Sequence, residues 1–497
     1  METLPFNWII LFPLIASPLA YLSGRIGKNR SQNIPQIIAM IALLAAWIPF
    51  VQAALALNQG EQLSFKLGTI SLCLDGLGLL VAGVSLGLGV FVVLFSGPYL
   101  QGESGKEKYF AMLLAMIAMM AGLGCACDIF NLWIWFEAMA IASFLLVAFY
   151  NERPASLEAG IKYLVQSAAG SVFILIGIGI VYAQTGQLDL NAIKATGISS
   201  PSMVVAGVLF VIGYGVKAAL VPLHTWLPDA HSQAPSGISA MLSGIVIEAG
   251  LIAMLRSLGT LSSVTTLWGP LLILFGVLNM LIGNMLALPQ KQVKRMLAYS
   301  SLTHVGYMLV GLGIAIYLGN SDGAVGGMFH LFNHGLMKGL AFLSAGALLY
   351  VLHISSGNHD PLLVSDLSGA SRRYPMVALT FSLALLSLGG IPLLAGFPSK
   401  WQIILAGFET GNRLMAILVL FTALNSVFSL VYYVPLVNIV YRRQESEAVR
   451  FGKSVPGIMS IPLVLMAIGV IIIGILPSIM NWLVYPAGSA VLTAFGW

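Results

Sequence analysis

The sequence predicts an all-α polytopic membrane protein of about fourteen transmembrane helices. Three observations carry that reading: the composition, the continuity of the apolar runs, and the sorting of basic residues between the two ends of those runs. Of 497 residues, 58% are hydrophobic and 8% charged, with a mean hydropathy of +0.94. A soluble domain carries about 25% charged residues. A chain this poor in charge cannot cover a water-facing surface of its size, which excludes a soluble enzyme, a nucleic-acid-binding protein and a disordered chain. The apolar stretches run unbroken for about 17–25 residues, the length of a helix crossing a bilayer, and lack the roughly 10-residue alternation of barrel strands.

The elements follow in order. Met1 to Asn7 lack a basic n-region, so the first apolar run reads as a retained span and not as a signal peptide. Spans 1 to 3 fall near 8–24, 34–57 and 76–97, within an N-terminal unit 1–108; between the second and third, Glu61 to Cys73 alternates like a small extramembrane hairpin. Spans 4 to 8 fall near 109–127, 129–150, 161–184, 202–221 and 235–257. Spans 9 to 13 fall near 266–288, 301–319, 323–352, 375–407 and 412–441. Span 14, near 456–477, belongs to a C-terminal unit 442–497 whose tail from Ser478 to Trp497 reads as a short extra segment. The three cysteines, Cys73, Cys125 and Cys127, offer neither a disulfide framework nor a second ligand pair for zinc or iron–sulfur, and read as small packing residues.

Basic residues test this count, because cytoplasmic connections carry the excess of Lys and Arg. With an external N-terminus, the odd-to-even connections and their flanks hold Arg25, Lys28, Arg30, Lys106, Lys108, Arg153, Lys162, Lys291, Lys294, Arg295, Arg372, Arg373, Arg442, Arg443, Arg450 and Lys453. The other side holds only Lys66, Lys194, Arg256 and Arg413. A miscounted helix would scramble this sorting. Both termini are therefore expected on the non-cytoplasmic side.

Five ionisable residues lie well inside apolar runs: Glu137, Lys217, Glu248, Lys338 and Lys400. Each costs at least ~2.5–3.5 kcal/mol at a helix centre facing lipid, so such residues face a polar interior, pair, and mark ion or proton paths. Lys217 and Lys400 both sit in runs interrupted by Gly and Pro. Such breaks are tolerated at membrane depth only where protein or water re-satisfies the backbone, and paired breaks point to repeated halves. Lys217 lies in the fourth span from span 4 and Lys400 in the fourth from span 9, which divides the chain into inverted five-helix repeats, 109–257 and 266–441, with broken helices 7 and 12. His330, His334 and Lys338 fall at i, i+4 and i+8 on one face of span 11, a pattern suited to a proton relay because histidine titrates near neutrality. A buried structural ion pair is the blander alternative for the set, and zinc is disfavoured by the absence of a nearby Cys or carboxylate. The connection from Pro222 to Ser236 holds His224, Asp229 and His231; it is either a rigid polar turn or a route from cytoplasmic water to Lys217.

At these residues the sequence resembles the antiporter-like subunits shared by respiratory complex I and Mrp-type multisubunit Na+/H+ antiporters. The resemblance spans nearly the whole chain. It rests on Trp133-Ile-Trp-Phe136-Glu137, on Lys217 with Pro222-Leu-His-Thr-Trp-Leu-Pro-Asp-Ala-His231 and Ala234-Pro235-Ser236, on Lys294-Arg295-Met-Leu-Ala-Tyr-Ser-Ser-Leu-Thr-His304, on Asn333-His334-Gly through Lys338, and on Gly389-Gly-Ile-Pro392 to Lys400. Length and the Asp-Ala-His loop look closest to the M-type subunit of complex I, to its photosynthetic D-type counterpart, or to the D-type component of Mrp. One departure is Glu248, where the family usually carries a basic relay residue. The resemblance implies a proton-translocating membrane subunit of a complex I-type NAD(P)H–quinone oxidoreductase, in the bacterial cell membrane or the thylakoid membrane. Protons would pass through Glu137, Lys217, Glu248, His330, His334, Lys338 and Lys400, with uptake at His224 and His231 and with Glu137 paired to Lys217. The alternatives are the D-type component of an Mrp-type antiporter, with Na+ as a second cargo, and a purely structural membrane scaffold. The resemblance further implies other membrane subunits as partners and no cofactor or metal in this chain. No dinucleotide fingerprint, P-loop or cluster-ligating cysteine set occurs here, so electrons belong to partner subunits.

Overall fold

A computed structural model describes residues 5–26, 33–68 and 70–497. Met1 to Leu4, Lys28 and Arg30 of the readings above lie outside the described residues. Helices α1 (Trp8–Ile26) and α2 (Ile34–Asn58) lead into strands β1 (Leu63–Leu67) and β2 (Ile70–Leu74), and α3 (Gly76–Tyr99) completes an N-terminal group. Next come α4 (Lys106–Gly124), α5 (Ile129–Val147), α6 (Pro154–Thr185), the short α7 (Leu190–Ala195), α8 (Pro201–Lys217) and α9 (Trp226–Gln233). A π-turn over Leu242–Val246 joins α10 (Ser236–Met241) to α11 (Ile247–Thr260). They are followed by α12 (Trp268–Ala287), α13 (Val293–Leu318), α14 (Ser321–Leu352), the short α15 (Ala370–Arg373), α16 (Pro375–Gly389), α17 (Gly396–Glu409) and α18 (Arg413–Val440). The last elements are α19 (Glu447–Phe451), α20 (Gly457–Ile475) and α21 (Asn481–Phe495).

Twelve continuous helices among the described residues are long and apolar enough to cross a bilayer, with α10, the π-turn and α11 counted as one. Two further crossings are broken, as α8 followed by α9 and as α16 followed by α17. This is an integral, multi-pass, all-α membrane protein. The segment from Ser236 to Thr260 is buried throughout and α13 and α14 nearly so, whereas α1 and α18 are mostly exposed at the periphery. Small residues allow the central helices to approach. A Cβ on Gly335 of α14 would meet the Gly244 carbonyl oxygen at 2.7 Å, and one on Gly306 of α13 would meet that of Gly276 at 2.6 Å. Backbones this close are the usual way helices associate where lipid removes the hydrophobic drive.

The hairpin pairs antiparallel, with Leu63 opposite Leu74. It goes further than the alternation indicated, because β2 also lies against the α4–α5 connection: Cys73 N donates to the Cys125 carbonyl at 2.8 Å, and Leu72 bridges Ala126. This pairing corrects the reading of the cysteines as packing residues. Cys73 and Cys127 form a disulfide with Cα atoms 5.7 Å apart, while Cys125 is free and buried. Asp75 then caps α3 by accepting from Gly78 N at 2.8 Å, and it holds Arg256 of α11 at 2.7 Å and 3.1 Å.

The C-terminal tail forms α21, which lies across the same face. Lys194 of α7 donates to the Thr493 and Ala494 carbonyls at 2.7 Å and 2.9 Å, and Trp497 Nε1 donates to the Ile316 carbonyl of α13 at 3.0 Å. Pro486 and Val325 leave no room for a Cβ on Gly76 and Gly488 respectively, so α21 is wedged between α3 and α14.

Candidate functional site

Both broken crossings are finished by polar side chains from neighbouring helices. At the first, Asn279 of α12 accepts from Val221 N at 2.8 Å and donates to the Ala219 carbonyl at 3.1 Å. Trp226 Nε1 donates to the Val216 carbonyl at 2.8 Å. At the second, Asn333 of α14 donates to the Ala395 carbonyl at 2.6 Å, and Gly396 N donates to Ser387 Oγ at 3.1 Å. Each break also holds one non-glycine residue with positive φ, Ala219 at 53° and Leu393 at 69°. Such residues are held in a sparsely populated backbone region, which persists only where surrounding contacts enforce it.

The two breaks position two lysines. Lys217 ends α8, is 1% exposed, and donates to Tyr163 Oη at 2.5 Å and to Ser143 Oγ at 3.1 Å. Tyr163 is fixed in turn by stacking on Trp226, centroids 3.9 Å apart and planes within 3°. Lys400 of α17 donates to the Leu388 carbonyl freed at the end of α16, 2.7 Å away, and to Ser426 Oγ at 2.8 Å, with its Nζ 4.5 Å from the centre of the Tyr307 ring. The second break thus supplies a carbonyl that an intact helix would deny a buried ammonium, whereas the ammonium at the first is held by two hydroxyls of neighbouring helices.

Between them runs a line of titratable side chains. Glu248 Oε1 and His334 Nδ1 are 2.5 Å apart, both fully buried. The close Gly244–Gly335 contact brings this pair together, since Glu248 lies one turn beyond Gly244 and His334 precedes Gly335. The π-turn ends immediately before Ile247 and sets the rotation of Glu248; π-turns of this kind recur at functional sites. His334 stacks on His304 of α13, centroids 5.1 Å apart. His304 Nδ1 meets His330 Nε2 at 3.0 Å, and His330 Nδ1 meets Ser399 Oγ at 2.9 Å, one residue before Lys400. Glu248 Oε2 and His334 Nε2 have no hydrogen-bond partner among the described residues. His304 stands out in the sequence only as part of a motif, and the structure makes it the link between His334 and His330. The signal available was its place at the end of the Lys294-to-His304 motif.

Other sequence-predicted residues are placed differently. Glu137 is half-buried on α5 and forms no ion pair with Lys217, which binds the two hydroxyls instead; Glu137 Oε1 is buried without a partner among the described residues. Glu248 finds its partner on α14, in His334. Lys338 shares the face of His334 but turns to α13, donating to the Leu297 carbonyl at 2.7 Å and to Ser300 Oγ. His231 is fully buried, stacks on Phe342 of α14 at 4.7 Å, and has both ring nitrogens unpartnered among the described residues. It therefore faces the α13–α14 side, not Lys217. Lys294, counted as a surface charge in the sequence, is buried and donates to the Ala234 carbonyl just beyond α9. His224 is 8% exposed and edges Tyr299 at 6.5 Å. A small polar cavity between Tyr99, Tyr150, Gln292, Lys294 and His359 opens beside this cluster.

A model of the transmembrane part of the NADH:quinone oxidoreductase/Mrp antiporter family matches residues 126–429. The chain belongs to this family. Every candidate residue from Glu137 to Lys400 lies inside the stretch shared with the antiporter family. NADH-quinone oxidoreductase subunit N of Desulforudis audaxviator is 31% identical over 94% of this chain and 95% of the relative. F(420)H(2) dehydrogenase subunit N of Methanosarcina mazei is 30% identical, over 93% and 94%. A chain in the structure of the membrane-bound sulfane sulfur reductase, an archaeal respiratory membrane complex, superposes with a TM-score of 0.86 at 30% identity, over 98% of this antiporter-family chain and 97% of that one. Both curated relatives bear the name subunit N, whereas the Asp-Ala-His loop pointed to the M or D type.

Proposed function

We propose that this chain is the proton-translocating subunit of a complex I-type respiratory assembly, carrying protons between Lys217 and Lys400 while partner subunits carry the electrons. The observation that supports it most is the line Glu248–His334–His304–His330–Ser399, which runs through the centre of the molecule to the residue before Lys400. Hydrogen bonds link the neighbours in that line except His334 and His304, whose rings stack with centroids 5.1 Å apart, so that step needs a ring rotation or an intervening water. The step from Lys217 to Glu248 calls for bridging water in this proposal, and Glu137 acts on Lys217 through space, without an ion pair. The relatives named above are described by different electron donors and acceptors, which fits a shared subunit that does no redox chemistry itself. Other membrane subunits are then its partners, as in those assemblies.

The path favours H+ over Na+. A sodium ion needs a cage of oxygen ligands, as hard cations do, while this axis presents nitrogen donors and a single fully buried carboxylate, Glu248. We read α4 to α11 and α12 to α18 as inverted repeats, each broken at its fourth crossing, with the basic ends facing the cytoplasm and both termini outside. Uptake from that side runs by His231, Lys294 and Lys338 to His334, with His224 at the margin.

The test is reconstitution of the purified assembly into vesicles, with proton movement followed by an interior pH dye. Lys217→Ala is expected to leave an assembled complex that oxidises its donor without acidifying the lumen. Normal acidification by that variant would overturn the relay. Acidification that requires Na+ would favour the Mrp reading.

A further inference from the structure

The first turns of α16 and α20 diverge at the face rich in arginine, leaving an open groove of about 810 Å3. Its walls are apolar and face outward: Met376, Ile461 and Leu465 are 46%, 48% and 50% exposed. Its mouth is basic. Arg373 lines it, donating through Nη1 to the Val449 carbonyl at 3.2 Å and to that of Arg450, and its remaining donors have no hydrogen-bond partner among the described residues. No acidic side chain among the described residues lines the groove. Both helices also begin there without a side-chain cap, and a Cβ on Gly457 would meet nothing within 4 Å; Met459 N donates to the Pro456 carbonyl at 3.0 Å, while the N–H groups of Gly457 and Ile458 at the start of α20 have no hydrogen-bond partner among the described residues.

We infer that this groove binds an anionic phospholipid, with the phosphate at Arg373 and the start of α20 and one acyl chain laid along Ile461 to Leu465. Charge complementarity selects this occupant. An apolar helix of another subunit would fill the walls but bury the Arg373 side of the mouth without a counter-charge, which is costly. A lipid phosphate supplies that charge, and the uncapped N–H groups and helix dipole favour an anion at the same point. Basic pockets between helices at the cytoplasmic side are where anionic headgroups bind. The walls span about 12 Å of α20 at the ordinary rise per residue, so the groove holds a length of hydrocarbon and not a headgroup alone.

Native mass spectrometry of the full chain with its copurifying subunits, after delipidation and titration with phosphatidylglycerol or phosphatidylethanolamine, tests this. Phosphatidylglycerol should be retained preferentially, roughly five-fold less so in Arg373→Gln, the factor expected for one basic side chain at a membrane surface. Arg373→Lys should keep the preference, and Val464→Trp, which fills the apolar wall, should abolish retention in a complex of unchanged subunit content. Equal retention of the two lipids would overturn the inference, as would an Arg373→Gln variant that holds phosphatidylglycerol like the parent. A photoreactive side chain at Ile461 that crosslinks to a protein subunit instead of lipid would assign the groove to a partner helix.

Discussion

Glu248 and His334 share one short hydrogen bond in a fully buried setting. Removing one partner of such a pair leaves an uncompensated group and costs about 3–5 kcal/mol. Glu248→Ala should therefore lower thermal stability by that order. Glu248→Gln preserves volume and an oxygen acceptor but cannot release a proton, so it should fold normally and slow vesicle acidification by roughly an order of magnitude or more. Normal acidification by Glu248→Gln would leave the pair a structural one. Lys400→Arg makes a complementary case. Arginine holds its charge across the working pH range, so the variant should assemble and oxidise its donor without pumping; full pumping would reduce Lys400 to a fixed charge. At this scale the candidates were legible because a charge in an apolar run is conspicuous. Their partners were not: Glu248 shares its helix stripe with Gly244 and Ile252, and nothing in that stripe names a histidine 86 residues away. His304 was hidden for a different reason, because it sits in a helix already rich in Ser and Thr and reads as one more polar residue.

The elements divide in the same manner. Gly and Pro announced both broken helices, and the alternation from Glu61 announced the hairpin. The π-turn left no mark, since Leu242–Val246 has the composition of any apolar helix. The disulfide also left none, because its cysteines are 54 residues apart and only the pairing of β2 with the α4–α5 connection brings them together. Peptide mapping without reductant should recover a Cys73–Cys127 crosslinked pair and an unmodified Cys125 that alkylates only after unfolding. Cys73→Ser should lower the thermal stability of the detergent-solubilised protein, by about 2–4 kcal/mol if it behaves as other native disulfides do. An unchanged melting curve would mean that the Asp75–Arg256 contact and the strand pairing suffice to hold the hairpin.

For the whole molecule, the charge sorting that tested the span count also predicts an orientation. With a membrane-impermeant maleimide on intact cells, Lys66→Cys on the hairpin should label and Arg442→Cys beyond α18 should not; the reverse pattern would invert the topology and the direction of transport with it. What composition could not convey is how the two halves are fastened. Lys194 grips the end of α21 from one half while Trp497 grips α13 in the other, and Glu248–His334 spans the same divide at the centre. Transporters that work by swinging one half against the other need a seam that opens. Here the seam is buckled at the surface and stitched through its middle, and any swing would tear both fastenings. The proposed relay needs no such opening: a proton can pass along it by turns of single side chains, with the frame at rest.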